Sequence, residues 1–288
     1  MEKRRLKAVL LTLAAAALWG TSFPLVKVGL ENANPYDFLM WRFLLATSVL
    51  LIIQLLRGAK IRGLFRLETV TMGFVMSLSF LLQYVAQVST TASEAAVLVN
   101  TSPIMVPLFA YVLINEQLSL KRWPAVISGM FGIILTSGIV ANGSSAGSPV
   151  AGTLELLLSA VLTSIFIVIS KKNMAGIKTV DLILGSFIFA SAFVFIFTLI
   201  SGNFSMSLWS NQISVASVVY LSIFCTVVPF FLWFRGLRSL SATTSTVITL
   251  FEPVVGIIIS VTFLGEVFTV IAAAGTALIF LGIALMSV

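Results

Sequence analysis

The stretch that decides the fold is residues 94–116, which read EAAVLVNTSPIMVPLFAYVLINE. It is apolar between its two ends and has the length of roughly 20 residues that a helix needs to cross a bilayer. The same pattern returns 150 residues later, at 244–266, as TSTVITLFEPVVGIIISVTFLGE. Pro103 then falls on Pro253 and Glu116 on Glu266, although proline and glutamate are rare in such helices. We therefore infer a repeated membrane span.

The whole chain has the composition of a membrane protein. Of its 288 residues, 59% are apolar and 9% are charged, whereas soluble domains are roughly 45–50% apolar and about 25% charged. The apolar runs are continuous, which predicts helices rather than the alternating strands of a membrane barrel. We predict ten spans, at roughly 6–30, 36–56, 69–89, 94–114, 122–141, 151–170, 180–200, 213–234, 242–264 and 268–287.

The charges of the predicted loops indicate the orientation. Loops on the side of the amino terminus hold 15 Lys and Arg residues, and loops on the opposite side hold none. Because cytoplasmic loops carry the excess of these residues, we predict a multi-pass protein of the cell (cytoplasmic or inner) membrane with both termini cytoplasmic. The net charge of +7 is thus explained by the cations of the predicted cytoplasmic loops. No nucleic-acid partner is predicted, since no loop is large enough to form a basic domain.

The repeat predicts the fold class. A shift of 150 residues aligns the later part of each half, and shifts of 144 and 143 align Asp37 with Asp181 and Phe23 with Phe166. We predict an all-α integral membrane protein whose ten transmembrane helices form two inverted five-helix repeats, residues 1–141 and 151–288. Five is odd, so the second repeat enters from the opposite side, and such folds usually place a substrate site between the repeats near the midplane.

A family resemblance rests on these same segments. They are WGTSFPLVK at 19–27, Thr101-Ser102-Pro103 with Glu116, and Glu252-Pro253 with Gly265-Glu266. In this order they resemble the EamA family of the drug/metabolite transporter superfamily. The resemblance implies a ten-helix inverted repeat that moves small metabolites, often amino acids and their relatives, across the cytoplasmic membrane, often outward.

Three charged residues, Lys27, Arg42 and Glu252, lie inside predicted spans rather than at their ends. Ionisable groups inside a membrane are costly and are therefore candidates for function. Glu252 lies near the midplane on a helical stripe with Thr249. Either it binds a substrate amine or carries a proton, or it makes a structural ion pair or hydrogen bond, for example with Arg42. Arg42 could instead face a substrate carboxylate, and Lys27 is expected to anchor the outer surface.

Polar and aromatic residues complete the predicted cavity. The 150-residue shift pairs Gln83 with Trp233 and Tyr84 with an aromatic residue, and aromatic walls suit partly apolar ligands or amines. Trp19 is too deep for an interfacial belt. Asn100 either binds substrate or ties its helix to a neighbour. The predicted substrate-binding residues are Glu252, Trp19, Gln83, Asn100, Trp233, Thr249, Tyr84 and Arg42.

The sequence also limits the chemistry. Histidine is absent and Cys225 is the one cysteine, so neither a His/Cys metal site nor an internal disulfide is expected, and no cofactor is predicted. No nucleotide-binding loop is present, which excludes ATP-driven transport by this chain alone. An intramembrane enzyme would need a positioned nucleophile and base, so we predict no enzyme.

The predicted function is secondary transport of a small amino-acid-like, amphipathic or amine metabolite. We predict an exporter that works by alternating access around a midplane cavity. The proton is a candidate coupling ion. The alternative is a phosphate-bearing solute exchanger, which would need several cations in the cavity. Small residues on the fifth and tenth helices leave open a scaffold contact or a homodimer.

Overall fold

A computed structural model describes residues 2–56, 64–90, 92–117, 123–136, 150–264 and 270–287, and all regular structure within them is helical. The end of the fifth predicted span, the loop at 142–149 and Glu266 lie outside the described residues. The elements are α1 (Glu2–Gly20), α2 (Ser22–Leu30), α3 (Pro35–Leu56), α4 (Leu67–Ser89), α5 (Ala92–Val99), α6 (Ser102–Ile114), α7 (Trp123–Thr136), α8 (Val150–Asn173), α9 (Thr179–Ile200), a 3₁₀ turn (Ser207–Ser210), α10 (Gln212–Ser222), a π-helical segment (Ile223–Val227), α11 (Val228–Leu237), α12 (Ala242–Thr249), α13 (Phe251–Leu264) and α14 (Val270–Ser287).

Six stretches of the described residues are long and apolar enough to cross a membrane. They correspond to the first, second, third, sixth, seventh and eighth predicted spans, so the all-helical class and its several spans are confirmed. The fourth, fifth, ninth and tenth predicted spans contain shorter described helices, and the ten-span layout stays a prediction. The six stretches are Lys3–Leu30, Pro35–Leu56, Leu67–Ser89, Val150–Asn173, Thr179–Ile200 and Gln212–Leu237.

Three of the predicted spans are each two helices separated by a break. The breaks lie between α1 and α2, between α5 and α6, and between α12 and α13. A proline follows each of them, at Pro24, Pro103 and Pro253. Proline has no N–H to donate to the carbonyl four residues earlier, and its ring crowds that carbonyl. Each proline therefore interrupts the helix about one turn before its own position.

The eighth predicted span contains a different interruption, the π-helical segment between α10 and α11. Pro229 cannot donate to the carbonyl of Cys225, which leaves that oxygen free to accept another donor. Within the segment, the Thr226 hydroxyl donates to the carbonyl of Leu221 at 2.9 Å. Turns of this kind are rare and often lie at functional sites.

The two halves of the described chain, residues 2–136 and 150–287, interlock. Helix α1 packs against α11 and α13, α3 packs against α9, and α4 packs against α8 and α9. Helix α6 packs against α8, and α7 packs against α14. Large apolar side chains such as Leu56, Ile200 and Phe263 are exposed on the outside, where lipid would cover them.

Glycines bring α7 and α14 into close contact. A Cβ atom on Gly132 would lie 2.6 Å from the carbonyl oxygen of Gly275, and one on Gly282 would lie 2.8 Å from that of Ala125. Small residues permit this approach between membrane helices. The small-residue stripes of the fifth and tenth predicted spans therefore serve a contact within the chain, and they give no support to a homodimer.

Candidate functional site

A cavity of about 110 Å³ lies between the two halves of the chain. All eight residues predicted to bind substrate line it, together with other residues of the first, third, fourth, sixth and eighth predicted spans. The first half contributes Trp19, Ser22, Val26, Arg42, Met76, Ser79, Phe80, Gln83, Tyr84, Gln87, Val99, Asn100 and Ser102, and the second half contributes Thr163, Phe166, Ile167, Phe230, Trp233, Thr249 and Glu252.

Glu252 lies in the first turn of α13, directly after the break that follows α12. The amino-terminal turn of a helix is electrostatically favourable for a carboxylate. In the described part of the chain, the Glu252 side chain has neither a hydrogen-bond partner nor an ion-pair partner. Polar groups out of contact with bulk water are normally hydrogen-bonded. The cavity thus contains a carboxylate that the described part of the chain does not satisfy.

Gly20 fixes the backbone of Glu252 against the end of α1. A Cβ atom on Gly20 would overlap the backbone oxygen of Glu252 and would lie 2.7 Å from Cβ of Val255. Only glycine permits the two helix breaks to approach so closely, because any side chain would force the backbones apart. The first and ninth predicted spans therefore cross at their breaks beside the cavity.

Arg42 has partners other than Glu252, and the proposed structural ion pair between them is not formed. The guanidinium donates to the Thr226 hydroxyl at 2.9 Å, the Tyr84 hydroxyl at 2.5 Å and the carbonyl of Cys225 at 3.0 Å. That carbonyl is the one left free by Pro229. The guanidinium carbon also lies 5.3 Å from the ring centroid of Phe80, within the range of a cation–π contact.

Aromatic rings form one wall of the cavity. The Trp19 ring lies 5.3 Å from Phe230 and 6.0 Å from Trp233, measured between centroids. The Phe166 ring stacks on Trp233 at 6.2 Å with an interplanar angle of 19°. These rings come from α1, α8 and α11, so the wall joins both halves of the chain. Such walls present negative ring faces to a cation and an apolar surface to the rest of a ligand.

Three side-chain amides lie at the cavity. The Asn100 amide nitrogen donates to the carbonyl of Ala96 at 2.8 Å, which leaves its oxygen available. The buried side-chain oxygen of Gln87 has no partner among the described residues, while its nitrogen donates to the backbone oxygen of Gln83 at 3.4 Å. The Gln83 side chain has no bond to the part of the protein that the structure describes.

The sequence prediction missed several lining residues that carry no charge. Met76, Phe80 and Ile167 are apolar side chains inside apolar helices, so nothing marked them individually. One signal was present, because Met76 and Phe80 lie on the same helical face as Gln83 and Gln87, at spacings of four, three and four residues. Of the residues on that stripe, Gln83 alone is predicted from the sequence to bind substrate.

Lys27 and Lys171 bind the carboxyl ends of neighbouring helices outside the cavity. The Lys27 ammonium donates to the carbonyls of Gln87 and Thr90 at 2.8 and 2.9 Å. The Lys171 ammonium donates to the carbonyls of Leu237 and Leu240 at 2.8 and 2.6 Å. A cation at a helix carboxyl end satisfies carbonyls that lack an intrahelical donor. Lys27 therefore has a defined partner helix, beyond the surface anchoring expected from the sequence.

An acidic side chain binds the other end of the turn that Lys171 contacts. The Glu116 carboxylate accepts from the backbone N–H groups of Ala242 and Thr243 at 3.0 and 3.2 Å, and so caps the start of α12. Lys171 and Glu116 thus hold both ends of the turn between α11 and α12.

Within the described residues, no group of three or more His, Cys, Asp or Glu side chains could hold a metal ion.

Comparison with known proteins gives a family match over nearly the whole chain. The EamA-like transporter family matches it twice, over residues 6–138 and 150–288. An uncharacterized transporter of Archaeoglobus fulgidus is 27% identical over 253 residues, which cover 86% of each protein. The uncharacterized transporter YetK of Bacillus subtilis is 25% identical over 294 residues, covering 98% of this chain and 87% of YetK.

A solved crystal structure has the same fold. It superposes with a TM-score of 0.79 at 21% sequence identity, and the match covers 96% of this chain and 95% of the other. At this identity the likeness concerns the fold alone.

Proposed function

The chain belongs to the EamA-like transporter family, and from that premise we propose that it is a secondary transporter exporting a small amino-acid-like or amine metabolite. The protein is a multi-pass membrane transporter of the drug/metabolite transporter superfamily. The proposal concerns its substrate, direction and mechanism. One observation carries it, the unsatisfied carboxylate of Glu252 in a cavity shared by both halves of the chain.

Helix breaks beside the cavity support alternating access. Transporters built from repeats usually bind substrate where discontinuous helices meet near the midplane. Three breaks border this cavity, through Ser22 after α1, Asn100 and Ser102 around the α5–α6 break, and Thr249 and Glu252 around the α12–α13 break. Rocking of one half against the other would open the cavity first to one side and then to the other.

Matching features in the two halves support the proposed inverted repeats at 1–141 and 151–288. Helices α5 and α12 coincide when the chain is shifted by 150 residues, and the break after each lies beside the cavity. Lys27 and Lys171 lie near the carboxyl ends of the first and sixth predicted spans, and each binds the carboxyl end of a neighbouring helix, α4 or α11.

The alternative function, exchange of a phosphate-bearing solute, is less well supported by the contacts of Arg42 and Lys27. Phosphate recognition uses Arg and Lys donors that are available to the ligand. Here the Arg42 guanidinium already donates to three protein acceptors, and the Lys27 ammonium donates to two backbone carbonyls. We therefore propose transport of an amine or amino-acid-like solute over exchange of a phosphate ester.

Transport can be tested without knowing the substrate. Purified protein would be placed in liposomes loaded with an equimolar mixture of amino acids, amines and polyamines, and the loss of each solute would be followed by mass spectrometry. We expect at least one solute to leave faster than from protein-free liposomes. The variant Glu252→Gln should slow that efflux, whereas Glu31→Gln, which removes an exposed carboxylate elsewhere, should not. No protein-dependent flux of any solute would contradict the proposal.

The orientation can be tested at the two ends of α9. Ala175 and Ser201 are exposed and flank this helix. With Cys225 replaced by serine, a cysteine at Ala175 should react with an impermeant reagent only after cells are opened. A cysteine at Ser201 should react in intact cells. The reverse pattern would invert the predicted topology.

A further inference from the structure

We propose that the cavity is a binding site for an organic cation, specifically a primary ammonium group attached to a flat apolar body. The proposal rests on the transport function above and narrows its substrate class. Three features of the described cavity carry it. They are an unsatisfied carboxylate, two further oxygen acceptors and a wall of aromatic rings.

The first feature is a difference between the two charged residues that line the described cavity. Arg42 is 2% exposed and is held by three hydrogen bonds and the face of a phenylalanine ring. Glu252 is more exposed to the cavity and has no partner in the described residues. A buried charge is stable only when something pairs with it. The protein thus satisfies the hydrogen-bond donors of Arg42, whereas the carboxyl oxygens of Glu252 are left for a ligand to satisfy.

The second feature is the number of acceptors. The Gln87 side-chain oxygen is buried and has no partner in the parts of the chain that the structure describes, and the Asn100 side-chain oxygen is available there because the nitrogen is the atom that bonds to the protein. With the carboxylate of Glu252 they offer three acceptor groups around one cavity. A primary ammonium has three N–H donors and no acceptor. A quaternary ammonium, which lacks N–H donors, would leave these oxygens unsatisfied.

The third feature fits the remainder of the ligand. Trp19, Phe166, Phe230 and Trp233 form a continuous aromatic wall whose centroids are 5.3 to 6.4 Å apart between neighbours. Ring faces attract a cation within about 6 Å and also bury an apolar body. A carboxylate on the ligand would have to compete for Arg42, whose bonds to the protein would first be disturbed.

The test uses four probes that share a phenylethyl body and differ in their polar group. They are 2-phenylethylamine, L-phenylalanine, 3-phenylpropanoate and phenylethyl-trimethylammonium. Dissociation constants would be measured by calorimetry on the full-length protein in nanodiscs. We expect the amine to bind at least about tenfold more tightly than 3-phenylpropanoate and the trimethylated probe, because neither can donate an N–H to the Glu252 carboxylate. We expect the same margin over phenylalanine, because its carboxylate would enter the cavity beside Glu252 while Arg42 already donates to protein acceptors. Because this series uses the unmodified protein, it needs no variant to fold.

Variants then locate the site. Glu252→Gln should weaken amine binding by about 10- to 100-fold and leave binding of phenylpropanoate unchanged or stronger. Glu31→Gln makes the same chemical change at an exposed position and should leave every constant unchanged. Gln87→Leu should lower the preference for the amine over its trimethylated form, because it removes an N–H acceptor.

Specific outcomes overturn the proposal. Tighter binding of phenylalanine or phenylpropanoate than of the amine would show that Arg42 recognises a carboxylate. Tighter binding of the trimethylated probe would show that N–H acceptors play no part. Equal amine binding by the wild type and Glu252→Gln would remove the carboxylate from the site. If phenylalanine, rather than the amine, crosses liposomes with the protein, the transport function stands and the cation proposal fails.

Discussion

The break between α5 and α6 and the break between α12 and α13 lie 150 residues apart and border the same cavity. Both follow a helix of eight residues, and both precede a proline, Pro103 or Pro253. The residue before each proline differs, since the first break has Ser102 and the second has Glu252. The backbone arrangement is thus common to the two halves, and the charge is not.

The same contrast recurs in the second and seventh predicted spans. Arg42 in α3 corresponds, under the 144-residue shift, to Ser186 in α9. Among the described residues, the Ser186 hydroxyl donates only to the carbonyl of Ile183 in its own helix, at 2.9 Å. Each half thus brings one charged residue to the cavity, at positions that do not correspond. We infer that the framework is repeated while the binding chemistry is carried by residues that break the repeat.

The largest effect is expected when Glu252, at the break between α12 and α13, is replaced by the residue found at the break between α5 and α6. Glu252→Ser gives the second half the residue of the first and removes the carboxylate proposed to hold the substrate. Efflux of the transported solute from liposomes should fall by more than about tenfold, as expected for loss of a charge-assisted hydrogen bond. The melting temperature should change little, because the carboxylate bonds to no protein group in the described chain. A fully active Glu252→Ser protein would show that the contrast has no functional meaning.

Arg42 should matter mainly for stability. Arg42→Gln leaves the Tyr84 and Thr226 hydroxyls and the Cys225 carbonyl without their donor. We expect a loss of about 2–4 kcal/mol, because unsatisfied buried groups cost roughly 1–3 kcal/mol each and partly rearrange. Thermal unfolding in detergent would measure it. The corresponding change Ser186→Ala is the control and should cost less than about 1 kcal/mol. Equal losses would mean that the two positions play the same structural role.

Lys27 and Lys171 test whether the two halves share the same contacts at their helix ends. Lys27→Met and Lys171→Met each leave carbonyls at a helix end without a cation, which should cost roughly 1–3 kcal/mol. The losses should be similar, since Lys27 binds two carbonyls and Lys171 binds two closely and a third, that of Arg238, at 3.4 Å. Melting temperatures of the two variants would be compared directly. A large effect of one and none of the other would break the correspondence.

The membrane class and the cavity could be predicted from sequence because they depend on local chemistry. Apolar run length reports a span directly, and deep polar residues such as Gln83, Asn100 and Glu252 are costly unless they meet at a cavity. The structure brings all eight predicted residues to one cavity. Their role in substrate binding remains the proposal made above.

Other features depended on contacts that the sequence does not display. Pro24, Pro103 and Pro253 marked weak points, but whether a proline kinks a membrane helix or breaks it depends on which neighbours take up the freed backbone groups. Arg42 was considered as a partner of Glu252 because the two are opposite charges. Its actual acceptors are two hydroxyls and a carbonyl released by Pro229, and such a neutral set has no signature in sequence.

The smallest effect is expected at the break between α5 and α6, where Ser102 precedes the proline. The Ser102 hydroxyl makes no hydrogen bond to the described chain, and its carbonyl accepts from Ser164 at 3.4 Å. Ser102→Ala keeps that carbonyl and the following proline, so stability should change by less than about 0.5 kcal/mol and efflux by less than about twofold.

The comparison becomes decisive when Ser102→Ala and Glu252→Ser are measured in the same liposome assay. If binding chemistry is confined to the positions that break the repeat, only the second variant loses transport. If Ser102→Ala loses as much, the hydroxyl of the first break binds substrate as well. The two halves would then share the chemistry as they share the framework, and Glu252 would be the stronger of two equivalent contacts rather than the one that defines the site.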